Sequence, residues 1–140
     1  MGELAYLAGV LDTRAVVRVG LVGGSQSPLP FVAMSCGDAA LLRWLGQIAG
    51  VRSIVTSRKY DKHRCLEHCD QAHDHITSVS GRWNVTGVRA TVILTATQPW
   101  VRFQAEAWKR AIEVGLEANR KEGTVRKMEA LGWPLPEGWL

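Results

Sequence analysis

A chain of 140 residues that is 46% hydrophobic and 21% charged can bury a real core, which excludes a disordered tail. Seventeen Lys and Arg against thirteen Asp and Glu leave a formal charge of +4, a basic excess that suits a polyanionic partner without demanding one. No stretch has membrane-spanning length, and the apolar N-terminal run lacks the basic lead of a signal peptide. Cys36, Cys65 and Cys69 do not make a disulfide framework, so the expected location is a reducing cytoplasm.

Residues 3–12 have helical periodicity, with Leu4, Leu7, Ala8 and Leu11 on one stripe. Ala5 and Gly9, one turn apart, form a second stripe of small residues that would let another helix approach closely. A mid-helix glycine costs about 1 kcal/mol against alanine, so Gly9 predicts a packing reason. Residues 15–22 and 30–36 read as strands around a Gly/Ser hairpin loop. Asp38 caps a helix through Leu41, Leu42, Trp44, Leu45 and Ile48 that stops at Gly50. Residues 51–59 and 82–87 read as a third and a short fourth strand, separated by a long polar loop over 60–81 that holds all four histidines. A helix over 89–97 is ended by Pro99, and a longer one runs from 101 to about 121. Trp133-Pro134-Leu135-Pro136 predicts an extended arm. The order is α+β, with the strands in one sheet and the helices on one face, which leaves the other face as a candidate groove for a duplex.

Leu7-Ala8-Gly9-Val10-Leu11-Asp12, preceded by Tyr6, resembles the first six letters of the LAGLIDADG motif. Downstream, Arg82-Trp83-Asn84-Val85-Thr86-Gly87, then Ile93-Leu94 and Gln98-Pro99-Trp100-Val101, are similar to that family's last strand and the helix ending in a Pro-aromatic-aliphatic turn. In order and spacing, over roughly residues 4–120, the chain resembles a single-motif LAGLIDADG homing endonuclease of phage or mobile-element type. The resemblance implies an αββαββα fold with a single antiparallel sheet shaped as a saddle, built from residues 1–122, with 123–140 as a tail packed on it. It also implies a homodimer joined through Ala5, Ala8, Gly9 and Asp12, with double-stranded DNA under the sheets.

The chemistry departs from that pattern. The family's nuclease needs a carboxylate two residues beyond Asp12 to hold a divalent metal, and this chain has Arg14 there and Ala15 in place of the following glycine. A guanidinium cannot ligate Mg²⁺ and repels it. Gln104 stands near the place of a basic pocket residue. No catalytic residue is therefore expected; Asp12, with Mg²⁺, would serve only if the chain were active. Two symmetry-related copies of Arg14 would instead neutralise phosphates.

On the first strand Arg18 is the one plausible base reader. Arg52, Thr56 and Arg58 share a face of the third strand, followed by Lys59, Lys62 and Arg64; alone, each reads equally well as a solvated charge. The apolar second strand (Phe31, Val32, Ala33, Met34) favours a sheet covered by a protein partner. Cys65, Cys69, His73 and His75 would close a tetrahedral structural zinc site, against the alternative of unpaired thiols and solvated imidazoles. The expectation is a nuclease-dead, dimeric DNA-binding protein acting as regulator or accessory factor. The alternatives are a protein-interaction module on the same fold, or an active endonuclease using Asp12.

Overall fold

The computed structural model describes residues 2–21, 27–36, 38–49, 54–61, 75–119 and 121–139, with 54–61 and 75–80 described at the backbone alone. In chain order these form α1 (Gly2–Arg14), β1 (Val16–Gly20), β2 (Leu29–Cys36), α2 (Ala39–Ile48), β3 (Ile54–Asp61), β4 (His75–Thr86), α3 (Gly87–Thr97), a 3-10 turn (Gln98–Trp100), α4 (Ala105–Asn119) and α5 (Lys121–Leu131). The fold is α+β, and its first seven elements follow the expected αββαββα order. The four strands take the order β1-β2-β4-β3. β1 and β2 are antiparallel, with Val16 opposite Ala33 and Gly20 opposite Leu29. β3 and β4 are antiparallel from Ile54–Trp83 to Asp61–His75, with a shift of register between Lys59 and Tyr60. No helix among the described residues is long and apolar enough to cross a membrane.

The chain divides into two compact units, residues 1–34 with 84–140, and residues 35–83. The first is organised around α3, which packs on α1, α4 and α5 and is buried at every position from Ala90 to Thr97. A helix buried all round has to satisfy its polar atoms from within, and α3 does so at two of its three buried threonines, Thr95 Oγ1 finding no partner among the described residues. Thr91 Oγ1 accordingly donates to the Gly87 carbonyl (3.0 Å) and Thr97 Oγ1 to that of Ile93 (2.7 Å). The Thr97 hydroxyl in turn accepts from Nε1 of the buried Trp108 on α4 (3.0 Å). In the second unit Asp38 caps α2 as expected, its Oδ1 accepting from the N–H groups of Ala40 (3.0 Å) and Leu41 (3.2 Å). Leu42, Leu45 and Ala49 are the buried residues of that helix and its cap.

Two expectations are corrected. The long loop over 60–81 is shorter, because Tyr60 and Asp61 extend β3 while residues 75–81 begin β4. The Ser- and His-rich composition there reads as loop, but the antiparallel ladder satisfies the backbone and decides the matter. The helix expected from 101 starts at Ala105, because Val101 is extended (φ −78°, ψ 132°) after the 3-10 turn. Within the segment after residue 122, α5 runs to Leu131 with Thr124 and Met128 buried, and residues 133–136 beyond it have no regular structure. Gly132, at φ +70°, takes the left-handed conformation that ends it, and Trp133 N–H donates to the Met128 carbonyl (3.0 Å). The arm then returns toward the start of α5, where Lys121 Nζ lies 5.3 Å from the Trp139 ring centroid.

Candidate nucleic-acid interface and the end of the first helix

α1 has two faces that differ in partner rather than in polarity. Leu4, Leu7, Ala8, Leu11 and Asp12 turn into the core. Opposite them Gly2, Tyr6, Gly9 and Thr13 are exposed, with Ala5 and Val10 half-buried; the exposed charges of α1 stand at its two ends, Glu3 and Arg14. Thr13 spends its hydroxyl on the Gly9 carbonyl (2.7 Å). A Cβ added at Gly9 would meet nothing within 4 Å, so no neighbour among the described residues explains the glycine. Of the four residues expected at a dimer contact, Ala8 and Asp12 are already buried within the single chain; only Ala5 and Gly9 remain toward the open face.

Asp12 is engaged by a segment 90 residues away. Its Oδ2 accepts from the N–H groups of Arg102 (2.8 Å) and Phe103 (3.0 Å), and its Oδ1 from Phe103 (3.2 Å) and Gln104 (2.8 Å). These four contacts match the roughly four lone-pair sites of a carboxylate. They also supply an acceptor to donors just ahead of α4 that would otherwise be orphaned. Gln104 reciprocates: its Nε2 donates to the carbonyls of Asp12 (2.8 Å) and Ala15 (3.0 Å) at the end of α1. Each residue thus serves the open helix end of the other. Burial of Asp12 works to raise its pKa, but hydrogen bonds from the three backbone N–H groups outweigh it and hold the carboxyl below its ordinary value.

This arrangement does not fit a divalent cation. The one buried carboxylate at the helix end has its oxygens occupied by N–H donors, and the residue two further on is the exposed guanidinium of Arg14. What the helix end offers is positive charge: Arg14 and Arg102 are both exposed, one at the last position of α1 and one on the turn bound to Asp12.

On β1 Arg18 is exposed and borders a groove of about 510 Å³ with Val17, Val19, Glu106, Ala107 and Arg110. In β2 Val32, Ala33 and Met34 are buried within the chain. On β4 the side chains alternate, Trp83 and Val85 buried while Arg82 is exposed and Asn84 and Thr86 are half-buried. That polar face was not among the expected DNA contacts, although its period of two is visible in the sequence. Thr56, Arg58 and Lys59 lie on β3 opposite Gly81, Val79 and Ser78. Arg52, Lys62, Arg64, Cys65, Cys69 and His73 lie outside the described residues, while His75 is on β4 opposite Asp61. Among the described residues no group of three or more His, Cys, Asp or Glu is placed to hold a metal ion.

No protein-family model and no curated protein matches the sequence. The fold is similar to that of the homing endonuclease I-CvuI, solved in complex with its target (Sro1.3) in the presence of 2 mM Ca, at 10% sequence identity and a TM-score of 0.56 over 93% of this chain and 80% of that one.

Proposed function

We propose that this chain is a dimeric double-stranded DNA-binding protein on a LAGLIDADG-type endonuclease scaffold that has lost cleavage. The observation that carries the reading is the end of α1, where Asp12 is saturated by backbone N–H groups and Arg14 occupies the position at which hydrolysis needs a carboxylate. An arginine there holds a phosphate instead of activating water upon it. The fold shared with a target-bound homing endonuclease supports the choice of duplex DNA. So do the net charge of +4 and the outward Arg14, Arg18 and Arg82. Dimerisation is supported by the open face of α1, whose charges stand at its two ends, and by a glycine that no described neighbour requires. In this reading the protein acts as a regulator or accessory factor.

Selection from random duplexes at about 50 mM salt tests the reading, which expects enrichment of a two-fold symmetric site. Failure to enrich any sequence overturns it. Incubating an enriched site with Mg²⁺ separates the nuclease alternative: the expected outcome is intact DNA, and cleavage abolished by Asp12→Asn would establish the active form. The buried β2 side chains weaken the protein-module alternative, since the chain covers its own apolar strand. A structural zinc held by Cys65, Cys69, His73 and His75 remains part of the proposal. Less than about half an equivalent of zinc in protein purified without chelator removes it.

A further inference from the structure

Six large hydrophobic side chains are exposed among the described residues, and four of them lie on α1, just beyond it or on the turn pinned to it. Tyr6 (60% exposed) is on the open face of α1, Val16 (45%) follows its end, and Trp100 (38%) and Phe103 (78%) belong to the turn region. Aromatic side chains offer about 150–250 Å² each, so these exposures amount to on the order of 400 Å² of apolar surface. That lies within the ~300–600 Å² of the largest patch on a typical monomer, which is often functional. It is also about half of the ~800 Å² that each partner gives to a standard interface.

We infer that Phe103 is an anchor of the surface through which two copies of this chain associate, extending the α1 contact onto the Trp100–Phe103 turn. This rests on the dimeric reading above and names the side chain that would dominate its energetics. Phe103 is presented on a backbone whose N–H groups at residues 102, 103 and 104 are all bound to Asp12, so little freedom remains to be lost when it docks. A two-fold interface is self-complementary, so an apolar patch of this kind can meet its own copy. Surfaces that meet duplex DNA are polar and positive, whereas the exposed charges of α1 stand at its two ends, one acidic and one basic. Arg14 and Arg102 form the polar rim of such an interface.

Sedimentation equilibrium of the full chain tests this, comparing wild type with Phe103→Ser, Gly9→Leu and, as a control away from the patch, Leu131→Ser. The expected result is a dimer dissociation constant raised at least about tenfold by Phe103→Ser. The Leu131→Ser control should leave it unchanged. The unfolding of dilute Phe103→Ser should match wild type, since its side chain is 78% exposed. If Gly9→Leu is monomeric while Phe103→Ser dimerises as wild type does, the inference falls and the dimer stands. Wild type that stays monomeric at all concentrations removes both. Phe103→Ser that keeps dimer affinity but loses duplex binding assigns the side chain to DNA and overturns the inference.

Discussion

The carboxylate of Asp12 illustrates how one buried acid can tie together two segments far apart in the chain. Its oxygens face three N–H donors in a part-buried site, so neutralising it leaves those donors with a poorer acceptor. Asp12→Asn is expected to cost about 2–4 kcal/mol in urea unfolding, because an amide supplies one acceptor oxygen and turns an NH₂ toward N–H groups. The pH dependence has a definite sign. The folded carboxyl titrates below its unfolded value of about 3.9, so the unfolded state binds more protons in the window between the two. The stabilisation is therefore fully present above that unfolded value and is lost as pH falls through the lower folded one. The gap between wild type and Asp12→Asn should be constant near neutrality and close in acid; a gap that widened in acid would refute the assignment. The sequence offered Asp12 as part of a dimer contact, or as a metal ligand if the chain were active. It did not suggest the partners, because backbone N–H groups 90 residues away carry no side-chain signature. Gln104 reads in sequence as a missing base, and only its bonds to the end of α1 show what replaced the charge.

Two mid-helix glycines separate what an element needs for itself from what it keeps for a partner. Both lose about 0.5–1 kcal/mol of helix stability against alanine. At Gly115 on α4 an added Cβ would overlap the Thr91 Oγ1 of α3 and sit 3.0 Å from the Thr91 Cβ and Cγ2. Thr91 is buried and β-branched and its hydroxyl is bonded to Gly87, so it has little room to yield. Gly115→Ala is expected to destabilise the chain by about 1–3 kcal/mol through overpacking. Gly9→Ala meets open space, so thermal unfolding of dilute protein should show it stabilised by about 0.5–1 kcal/mol. At dimer-forming concentration the same Cβ separates the paired helices and weakens association. Stabilisation with no loss of self-association would remove the helix contact. Periodicity in the sequence disclosed α1, α2 and α3 nearly to their ends, since each has an apolar stripe or run with a clear stop. The first half of β4 and the start of α4 were not legible. The one depends on ladder pairing with β3, and the other on the extended backbone at Val101 that follows the 3-10 turn.

For the whole molecule the topology was legible from the family resemblance, whereas the partner was not, because recognition depends on which side chains face outward. Arg82, exposed on β4 with Asn84 and Thr86 along the same face, entered the interface only once burial separated it from Trp83 and Val85. Charge and symmetry together make a quantitative prediction that joins the two halves of the proposed function. The logarithm of a duplex affinity falls with the logarithm of salt at a slope of about −0.9 for each phosphate neutralised. In a two-fold dimer every residue acts twice. Arg14→Ala should therefore flatten the salt dependence by about 2 units if the dimer grips one phosphate with each copy, and by about 1 if a single chain binds. Arg18→Ala on β1 should do likewise if it contacts phosphate, and should relax sequence preference at one symmetric pair of positions if it reads a base edge. Fluorescence anisotropy on an enriched site between about 50 and 200 mM salt resolves these cases. An unchanged slope in both variants would mean that the positive end of α1 faces something other than a phosphate backbone, and the exposed Arg14 would need another explanation.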